Sequence, residues 1–244
     1  MNEFTPYVRE IVLVGGGHSH VQVLKRFGMK PIPGIRLTLI ARELHTPYSG
    51  MLPGYVAGDY SWDDIHIDLA RLATFAGARF IEGEVIGLEL DEQRVLVRDR
   101  PKIRYDVLSI NSGGSPGTEF WTNPNVIPVK PIGKFLPQWQ SVVSRYEGAT
   151  GVALAIIGGG AGSVELGIAI AERFPDVFEI SLYTGGSNLM GQHGQRSARL
   201  AKYQLMQAGV TVVENFEVVE VDQTSIKSMD NRTAQADVVL WITG

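Results

Sequence analysis

At 244 residues, with 44% hydrophobic and 20% charged side chains, the chain is long enough for two compact domains and has the composition of a folded globular protein. A formal net charge of −4 provides no broad basic field for a nucleic acid, and the absence of cysteine excludes disulfides, thiolate metal sites and thiol redox chemistry. Residues 1–9 do not resemble a secretory signal, and no apolar run reaches the roughly 18 residues that span a bilayer, so a cytoplasmic protein without a membrane span is expected.

The first predicted strand, residues 10–14, is an almost continuous apolar run, which is typical of a strand buried on both faces of a parallel sheet. Three glycines at 15–17 end this strand. Apolar residues then recur at helical spacing until Gly28 and Pro31 end the predicted helix. Residues 35–40 form the next predicted strand, which completes a βαβ unit.

Residues 85–90 and 94–98 alternate in polarity around Asp91 and Glu92, which predicts an antiparallel hairpin with one face in solvent. Residues 118–137 are rich in Pro, Asn and Gly and have little period, so they are predicted to link two domains. The predicted domains are residues 1–117 and residues 118–244.

The pattern of the first unit recurs after this link, with a strand over 152–157, a glycine triplet at 158–160 and a helix over 161–174. Twenty-six positions separate Gly15 from Ala41, and the same number separates Gly158 from Thr184. An internal duplication is the simplest interpretation. It predicts an α/β protein of two Rossmann-like domains, each with a doubly wound parallel sheet and a small antiparallel β-meander.

A glycine turn that leads from a strand into a helix favours binding of a nucleotide diphosphate, because the backbone can approach closely and unpaired N–H groups face the anion. Gly15 and Gly17 would serve one cofactor, and Gly158 and Gly160 a second. The third small position holds His20 in the first motif and Ser163 in the second. The bulk of histidine predicts that the first helix tilts outward or that His20 points away from the sheet.

Other polar residues near the turns have two interpretations. His18 and Ser19 are candidates for a phosphate or flavin contact at the helix start. A metal site is not expected there, because two histidines at this spacing do not converge on one ion. Glu165 fits a favourable position near the helix dipole as well as it fits a cofactor contact.

This arrangement resembles the flavoproteins with two dinucleotide-binding domains, the pyridine nucleotide-disulfide oxidoreductase superfamily, and within it the type II NADH dehydrogenase-like branch. The stretches at 14–21 and 46–54 look most like the flavoprotein modules fused to selenophosphate synthetases. The resemblance covers the whole chain. Residues 111–113 and 242–244 stand in the place of an Ala-Thr-Gly signature of the family.

The resemblance implies two sets of cofactor contacts, with no catalytic residue and no metal assigned. FAD would be bound by residues of the first domain, with Arg42 near the adenosine, Glu84 and Val85 at the adenine and a loop over the flavin: Gly15, Gly17, His18, Ser19, Arg42, Pro47, Met51, Leu52, Glu84, Val85, Asn111, Ser112 and Gly113. NAD(P)H would be bound by residues of the second domain: Gly158, Gly160, Ala161, Gly162, Ser163, Glu165, Thr184 and Gly244. The family's chain returns to the FAD domain after the second signature, so that domain is expected to be incomplete here.

The implied activity is that of an FAD-dependent NAD(P)H oxidoreductase that passes a hydride from nicotinamide C4 to flavin N5 and on to a small-molecule acceptor, for which the resemblance suggests a quinone. The acid expected to bind a ribose hydroxyl is missing where the strands end at Ala41 and Thr184, and Glu43 is a candidate substitute in the first unit. Without an acid or an arginine directly after Tyr183, the choice between NADH and NADPH stays open. The alternatives are a non-catalytic nucleotide-binding or redox-sensing module that regulates a selenium-metabolism partner, and a flavin-binding protein without a nicotinamide partner. A homodimer is compatible with each.

Overall fold

The structure, a computed structural model, describes residues 9–114 and 123–243 and divides into two compact units. The first unit comprises residues 9–48 and 66–113, and the second comprises residues 49–65, 114 and 123–243. The predicted domain boundary between residues 117 and 118 lies outside the described residues. Residues 49–65 belong with the second unit, although they lie within the sequence of the first. The prediction of two contiguous domains did not include this insertion.

The described residues of the two units form seventeen strands and seven α-helices. The strands are β1 (Arg9–Val14), β2 (Ile35–Ala41), β3 (His45–Pro47), β4 (His66–Asp68), β5 (Arg79–Glu82), β6 (Val85–Glu89), β7 (Arg94–Val97), β8 (Ile103–Arg104), β9 (Val107–Ile110), β10 (Val126–Pro128), β11 (Val152–Ile157), β12 (Phe178–Tyr183), β13 (Thr211–Val213), β14 (Val218–Val221), β15 (Ser225–Ser228), β16 (Thr233–Gln235) and β17 (Val238–Trp241). The helices are α1 (His18–Met29), α2 (Leu52–Ala57), α3 (Trp62–Ile65), α4 (Leu69–Phe75), α5 (Ile132–Arg145), α6 (Ala161–Arg173) and α7 (Gln195–Gln207), with a 3-10 turn over Ser49–Met51.

The first unit is built on a four-stranded parallel sheet in the order β5-β2-β1-β9. Successive residues of a strand point to opposite faces, so β1 sends Leu13 to the face covered by α1 and α4, and Val12 and Val14 to the face covered by the meander β6-β7-β8. Burial on both faces explains why the sequence of β1 is almost continuously apolar.

The second unit repeats this plan around a five-stranded parallel sheet in the order β10-β17-β11-β12-β13. One face packs against helices α2, α5, α6 and α7, and the other packs against the meander β14-β15-β16. The predicted α/β fold, with a parallel sheet and an antiparallel meander in each half, is confirmed. A meander, rather than a layer of helices, covers the second face of each sheet.

The stretch predicted to link two domains contains regular structure where it is described. Strand β10 lies within it, and helix α5 starts at Ile132 and continues through Pro137. Phe135, Leu136 and Trp139 are buried in the core of the second unit. This part of the chain is helical because apolar side chains at helical spacing gain more from burial than the internal proline removes.

Residues 49–65 are held to the second unit by both apolar and polar contacts. Leu52, Val56 and Ile65 lie in its hydrophobic core. Arg173 of α6 donates hydrogen bonds to the carbonyl oxygens of Tyr55 at 3.2 Å and Val56 at 2.9 Å, which satisfies acceptors at the carboxyl end of α2. Among the helices of the described ranges, none is long and apolar enough to cross a membrane.

Candidate functional site

The two glycine turns are held in place by equivalent backbone hydrogen bonds. The Gly15 amide donates to the Ile40 carbonyl oxygen at 2.8 Å, and the Gly158 amide donates to the Tyr183 carbonyl oxygen at 2.9 Å. Each bond joins the first glycine to the end of the neighbouring parallel strand. The turns are therefore fixed at the carboxyl edge of each sheet, the edge at which open α/β sheets bind ligands.

A second pair of hydrogen bonds repeats at the other end of the same strands. Asp106 Oδ2 accepts a hydrogen bond from the Glu10 amide at 2.6 Å, and Asp237 Oδ2 accepts one from the Ala153 amide at 2.9 Å. Both aspartates immediately precede the strand that pairs with β1 or β11. The repetition of these contacts agrees with the internal duplication predicted from the sequence.

Helices α1 and α6 start directly after the turns without a capping side chain. Their N-cap residues, Gly17 and Gly160, both have extended backbone conformations, with φ of −66° and −86°. The first N–H groups of a helix have no intrahelical acceptor and lie at the positive end of the helix dipole. Each turn consequently presents uncapped N–H donors of the kind that bind a phosphate.

In the first turn all three glycines lie close against other residues of the same unit. Gly15 has a φ of +95°, and a Cβ there would collide with the backbone of Asn111. A Cβ at Gly16 would meet the side chain of Leu69, and one at Gly17 would overlap the carboxamide of Asn111. The predicted contact residue Asn111 thus lies against the predicted glycine turn, with its side chain beside the start of α1.

The second turn divides its glycines between two roles. A Cβ at Gly158 would lie 3.0 Å from the Ile242 carbonyl group, and one at Gly159 would overlap Thr184, so the fold requires both. A Cβ at Gly160 would meet no described heavy atom within 4 Å, and one at Gly162 would meet only the Ile242 side chain, at 3.8 Å. Glycine at these two positions leaves space beside uncapped amides that the described protein does not fill.

His20 lies at the third small position of the first motif and is 1% exposed. Its Nδ1 lies 2.7 Å from the Gly15 carbonyl oxygen and its Nε2 lies 2.9 Å from Ser109 Oγ. Since a carbonyl oxygen only accepts, Nδ1 carries the proton and Nε2 accepts from the serine hydroxyl. The expectation that His20 points away from the sheet is wrong, because these two partners hold the ring between the turn and strand β9.

Burial lowers the pKa of His20, and the hydrogen bond to the Gly15 carbonyl oxygen partly opposes this effect. Burial therefore favours the neutral ring, in which Nδ1–H donates to Gly15 and Nε2 accepts from Ser109. His20 therefore acts as an internal brace that ties the first glycine turn to the end of β9.

Ser163 occupies the corresponding position of the second motif without such partners. It is buried, and its Oγ has no hydrogen-bond partner among the residues that the structure describes. A buried hydroxyl without a partner destabilises a fold by about 1–3 kcal/mol. The hydroxyl is therefore available as an acceptor or donor next to the uncapped turn.

A charged cluster follows the carboxyl ends of β2 and β5 in the first unit. Arg42 donates to Glu84 Oε1 at 2.8 Å, and Arg98 donates to Glu84 Oε2 at 3.0 Å. The hydrogen bond from Arg98, together with the charge of Arg42, holds the pKa of Glu84 below its usual value. The structure therefore brings together Arg42 and Glu84, both predicted near an adenosine. Arg98, which sequence reasoning missed, joins them because Val85 pairs with Val97 in the meander.

The other predicted residues of the first unit are scattered around the turn. The ring of His18 contacts that of Tyr48, with ring centroids 4.4 Å apart. Ser19 is exposed at the start of α1, and Ser112 and Gly113 are exposed after β9. Pro47 lies in β3, where it pairs with His66.

Two residues predicted in a loop over the flavin lie in the second unit. Met51 ends the 3-10 turn, and Leu52 starts helix α2 with its side chain 4% exposed in the hydrophobic core. The sequence motif gave no signal for this helix, whose apolar residues are buried against α6.

In the second unit, Ala161 and Glu165 lie on helix α6, and the side chain of Glu165 is exposed. Thr184 is buried after β12, and its Oγ1 accepts a hydrogen bond from the Gly186 amide at 3.3 Å. Gly244 lies outside the described residues. Within residues 9–114 and 123–243, no group of three or more His, Cys, Asp or Glu residues is arranged to hold a metal ion.

Two curated proteins are similar to nearly the whole of this chain. The chain is 23% identical to the NADH dehydrogenase-like protein YutJ of Bacillus subtilis (strain 168), over 97% of this chain and 65% of the relative. It is 23% identical to the demethylphylloquinone reductase NdbB of Synechocystis, over 96% of this chain and 61% of the relative. The chain thus spans less than two thirds of the length of each.

The solved structure of NDH2 from Plasmodium falciparum in complex with NADH has the same fold. It superposes with a TM-score of 0.81 at 18% identity, covering 97% of this chain and 55% of that chain. The profile of the pyridine nucleotide-disulphide oxidoreductase family matches residues 9–244. With two equivalent glycine turns on two parallel sheets and a family match over nearly its whole length, the chain belongs to the pyridine nucleotide-disulphide oxidoreductase family.

Proposed function

We propose that the first unit binds FAD, that the second unit binds NAD(P)H, and that the protein is an FAD-dependent NAD(P)H oxidoreductase of the NADH dehydrogenase-like kind. Family membership and relatives named as NADH dehydrogenase-like and quinone reductase proteins support this proposal. The observation that carries it is the second turn, where Gly160 and Gly162 leave space beside uncapped helix amides that no described side chain fills.

The residues of both turns fit a diphosphate. The amides at the start of α1 and α6 would donate to phosphate oxygens, and the absence of acidic residues from the first turn of each helix avoids repulsion of the anion. In the first unit the Asn111 carboxamide, beside Gly17, would add a side-chain donor. In the second unit Ser163 lies in the first turn of α6, and its Oγ has no hydrogen-bond partner among the residues that the structure describes.

The FAD adenosine would lie near the cluster of Arg42, Glu84 and Arg98. The two arginines hold Glu84 ionised, and its carboxylate would accept hydrogen bonds from ribose hydroxyl or adenine amino groups. His20 would keep the Gly15–Gly17 turn in its binding conformation without touching the cofactor. The role of these side chains is to bind and orient.

The bound cofactors would supply the redox chemistry, a hydride leaving reduced nicotinamide for the flavin ring system. The 244 residues contain no cysteine, so the chain contributes no disulfide to the electron path. We propose a quinone as the final acceptor, because one of the relatives is named as a demethylphylloquinone reductase. The finer resemblance to modules fused to selenophosphate synthetases stays a prediction, since the relatives reported above do not carry that name.

The visible absorbance spectrum of the purified protein, supplied with FAD and then freed of unbound flavin, tests the proposal. We expect retained flavin absorbance that bleaches when NADH or NADPH is added without oxygen. A second addition, of a soluble quinone, should restore the colour. Retained flavin that NAD(P)H does not bleach would instead indicate a flavin-binding protein, and a colourless protein that still binds NAD(P)H would indicate a nucleotide-binding module; either result contradicts the proposal.

A further inference from the structure

A strongly basic cavity lies in the first unit, at the opposite edge of the sheet from the glycine turn. Its volume is about 440 Å³, and six charged residues line it: Glu10, Arg36, Arg79, Arg100, Lys102 and Arg104. We call it the basic cavity. Five cations thus surround one space, although the chain as a whole has a net charge of −4.

The cations come from two layers that face each other. Arg36 and Arg79 lie at the amino ends of β2 and β5, and the pairing of Glu10 with Arg36 and of Thr38 with Arg79 aligns these ends. Their side chains share the sheet face that the meander covers, because residues of one face alternate along a strand. The other three cations, Arg100, Lys102 and Arg104, come from the segment that leads into and forms β8.

The single carboxylate that lines the basic cavity already has partners within the protein. Glu10 is 2% exposed, forms an ion pair with Arg36 and accepts a hydrogen bond from Thr38 Oγ1 at 2.5 Å. Two acids outside the lining pair with further cations, Glu89 with Lys102 and Asp106 with Arg104, the latter at 4.0 Å. Carboxylates therefore face Arg36, Lys102 and Arg104.

Arg79 and Arg100 differ from the other three cations. Within the described part of the chain, neither guanidinium has an ion-pair or hydrogen-bond partner. Their two positive charges are not balanced by a carboxylate of the described residues, and a bound anion would balance them. Guanidinium groups also present the fork of N–H donors that suits phosphate oxygens.

We infer that the basic cavity binds an organic phosphate, a small molecule with one or more phosphate groups and an apolar portion. The phosphate would be held by Arg79 and Arg100, and the apolar portion would contact Ile81 and Ile103, which also line the cavity. The volume falls in the range of roughly 300–1,000 Å³ that is usual for small-molecule sites and exceeds what one inorganic phosphate fills. The inference does not depend on the proposed oxidoreductase activity.

1-Naphthyl phosphate is a suitable probe, because it joins one phosphate to an apolar ring and lacks the adenine and ribose that a dinucleotide site recognises. Calorimetric titration of the full chain should show binding of this probe and no binding of 1-naphthol. The double variant Arg79→Ala/Arg100→Ala should bind it at least about tenfold more weakly, since each guanidinium removed takes away charge-assisted hydrogen bonds. The matched control, Arg26→Ala/Arg71→Ala, removes the same charge from helices α1 and α4 and should bind as the wild type does.

Amide hydrogen exchange locates the bound probe. We expect protection of residues 79–81 and 100–104 and none at residues 15–20 or 158–163. Absence of binding, protection confined to the glycine turns, an equal loss of affinity in the control variant, or equally tight binding of inorganic phosphate would each overturn the inference. A protein that fails to retain FAD leaves this experiment unaffected, so the failure of one proposal is distinguishable from the failure of the other.

Discussion

The substitution Gly160→Ala tests the second glycine turn with little disturbance of the fold. Gly160 is the N-cap of α6, with φ of −86° and ψ of 174°, a conformation that alanine adopts without strain. A Cβ there would meet no described heavy atom within 4 Å. The added methyl group would lie beside the uncapped amides, where the NAD(P)H diphosphate is proposed to bind.

The substitution should change the free energy of unfolding much less than it changes the affinity for NAD(P)H. Alanine is a poorer N-cap than glycine, whereas loss of glycine's freedom in the unfolded chain stabilises the fold by about 0.4–1 kcal/mol, so the free energy of unfolding should change by less than about 0.5 kcal/mol. Loss of a backbone hydrogen bond to a charged phosphate weakens binding by about 1.5–3 kcal/mol. We therefore expect NAD(P)H to bind roughly tenfold to a hundredfold more weakly.

Gly194→Ala is the matched control. Gly194 is the N-cap of α7 in the same unit, with φ of −60° and ψ of 150°, and a Cβ there also meets no described heavy atom within 4 Å. Dissociation constants for NADH and NADPH, measured by titration of each variant, and unfolding midpoints would be compared. Any purely local effect of alanine at an N-cap should appear in both variants.

Three results would refute the reasoning. Wild-type affinity in Gly160→Ala would show that no diphosphate approaches this turn. An equal loss of affinity in Gly194→Ala would show that the effect has another origin. A large drop in the unfolding midpoint of Gly160→Ala alone would contradict the open space beside this residue.

Three further residues give predictions of their own. His20→Ala should lower the free energy of unfolding by about 2–4 kcal/mol in urea titrations, because it deletes a buried ring and leaves Gly15 and Ser109 without their partner; a loss below 1 kcal/mol would contradict the brace. Burial lowers the pKa of His20 in the folded protein below its ordinary value of 6.5, so the stability that neutral His20 contributes is present above pH 6.5 and is lost as the pH falls through the folded pKa. Unfolding midpoints of His20→Ala should not show this loss at acidic pH. A pH profile identical to that of the wild type would contradict the prediction. Ser163→Ala should raise the free energy of unfolding by about 1 kcal/mol in the absence of nucleotide, because the hydroxyl has no partner among the described residues, and a loss of stability would reveal a partner instead. Glu84→Gln should leave the thermal unfolding midpoint unchanged, since its two exposed ion pairs add little stability, and should weaken FAD binding about fivefold as the charged acceptor is lost. Unchanged FAD affinity would remove Glu84 from the proposed site.

The sequence was most informative where a structural requirement acts over a few neighbouring residues. Gly15 and Gly158 were recognisable because both adopt positive φ at a tight turn between a strand and a helix. The apolar run of β1 was recognisable because a strand buried on both faces is apolar at successive positions. The meander was recognisable because a strand buried on one face alternates apolar and polar residues. These local patterns determined the fold class and the positions of both candidate turns.

Contacts between residues distant in the chain were decided only by the tertiary structure. His20 is braced by Ser109, Arg98 joins Arg42 and Glu84, and residues 49–65 belong with the second unit. The basic cavity likewise exists only because the meander brings Arg100 over the amino end of the sheet. Such pairings depend on how whole elements dock, and docking is set by the summed burial of many side chains, so no short stretch of sequence encodes it.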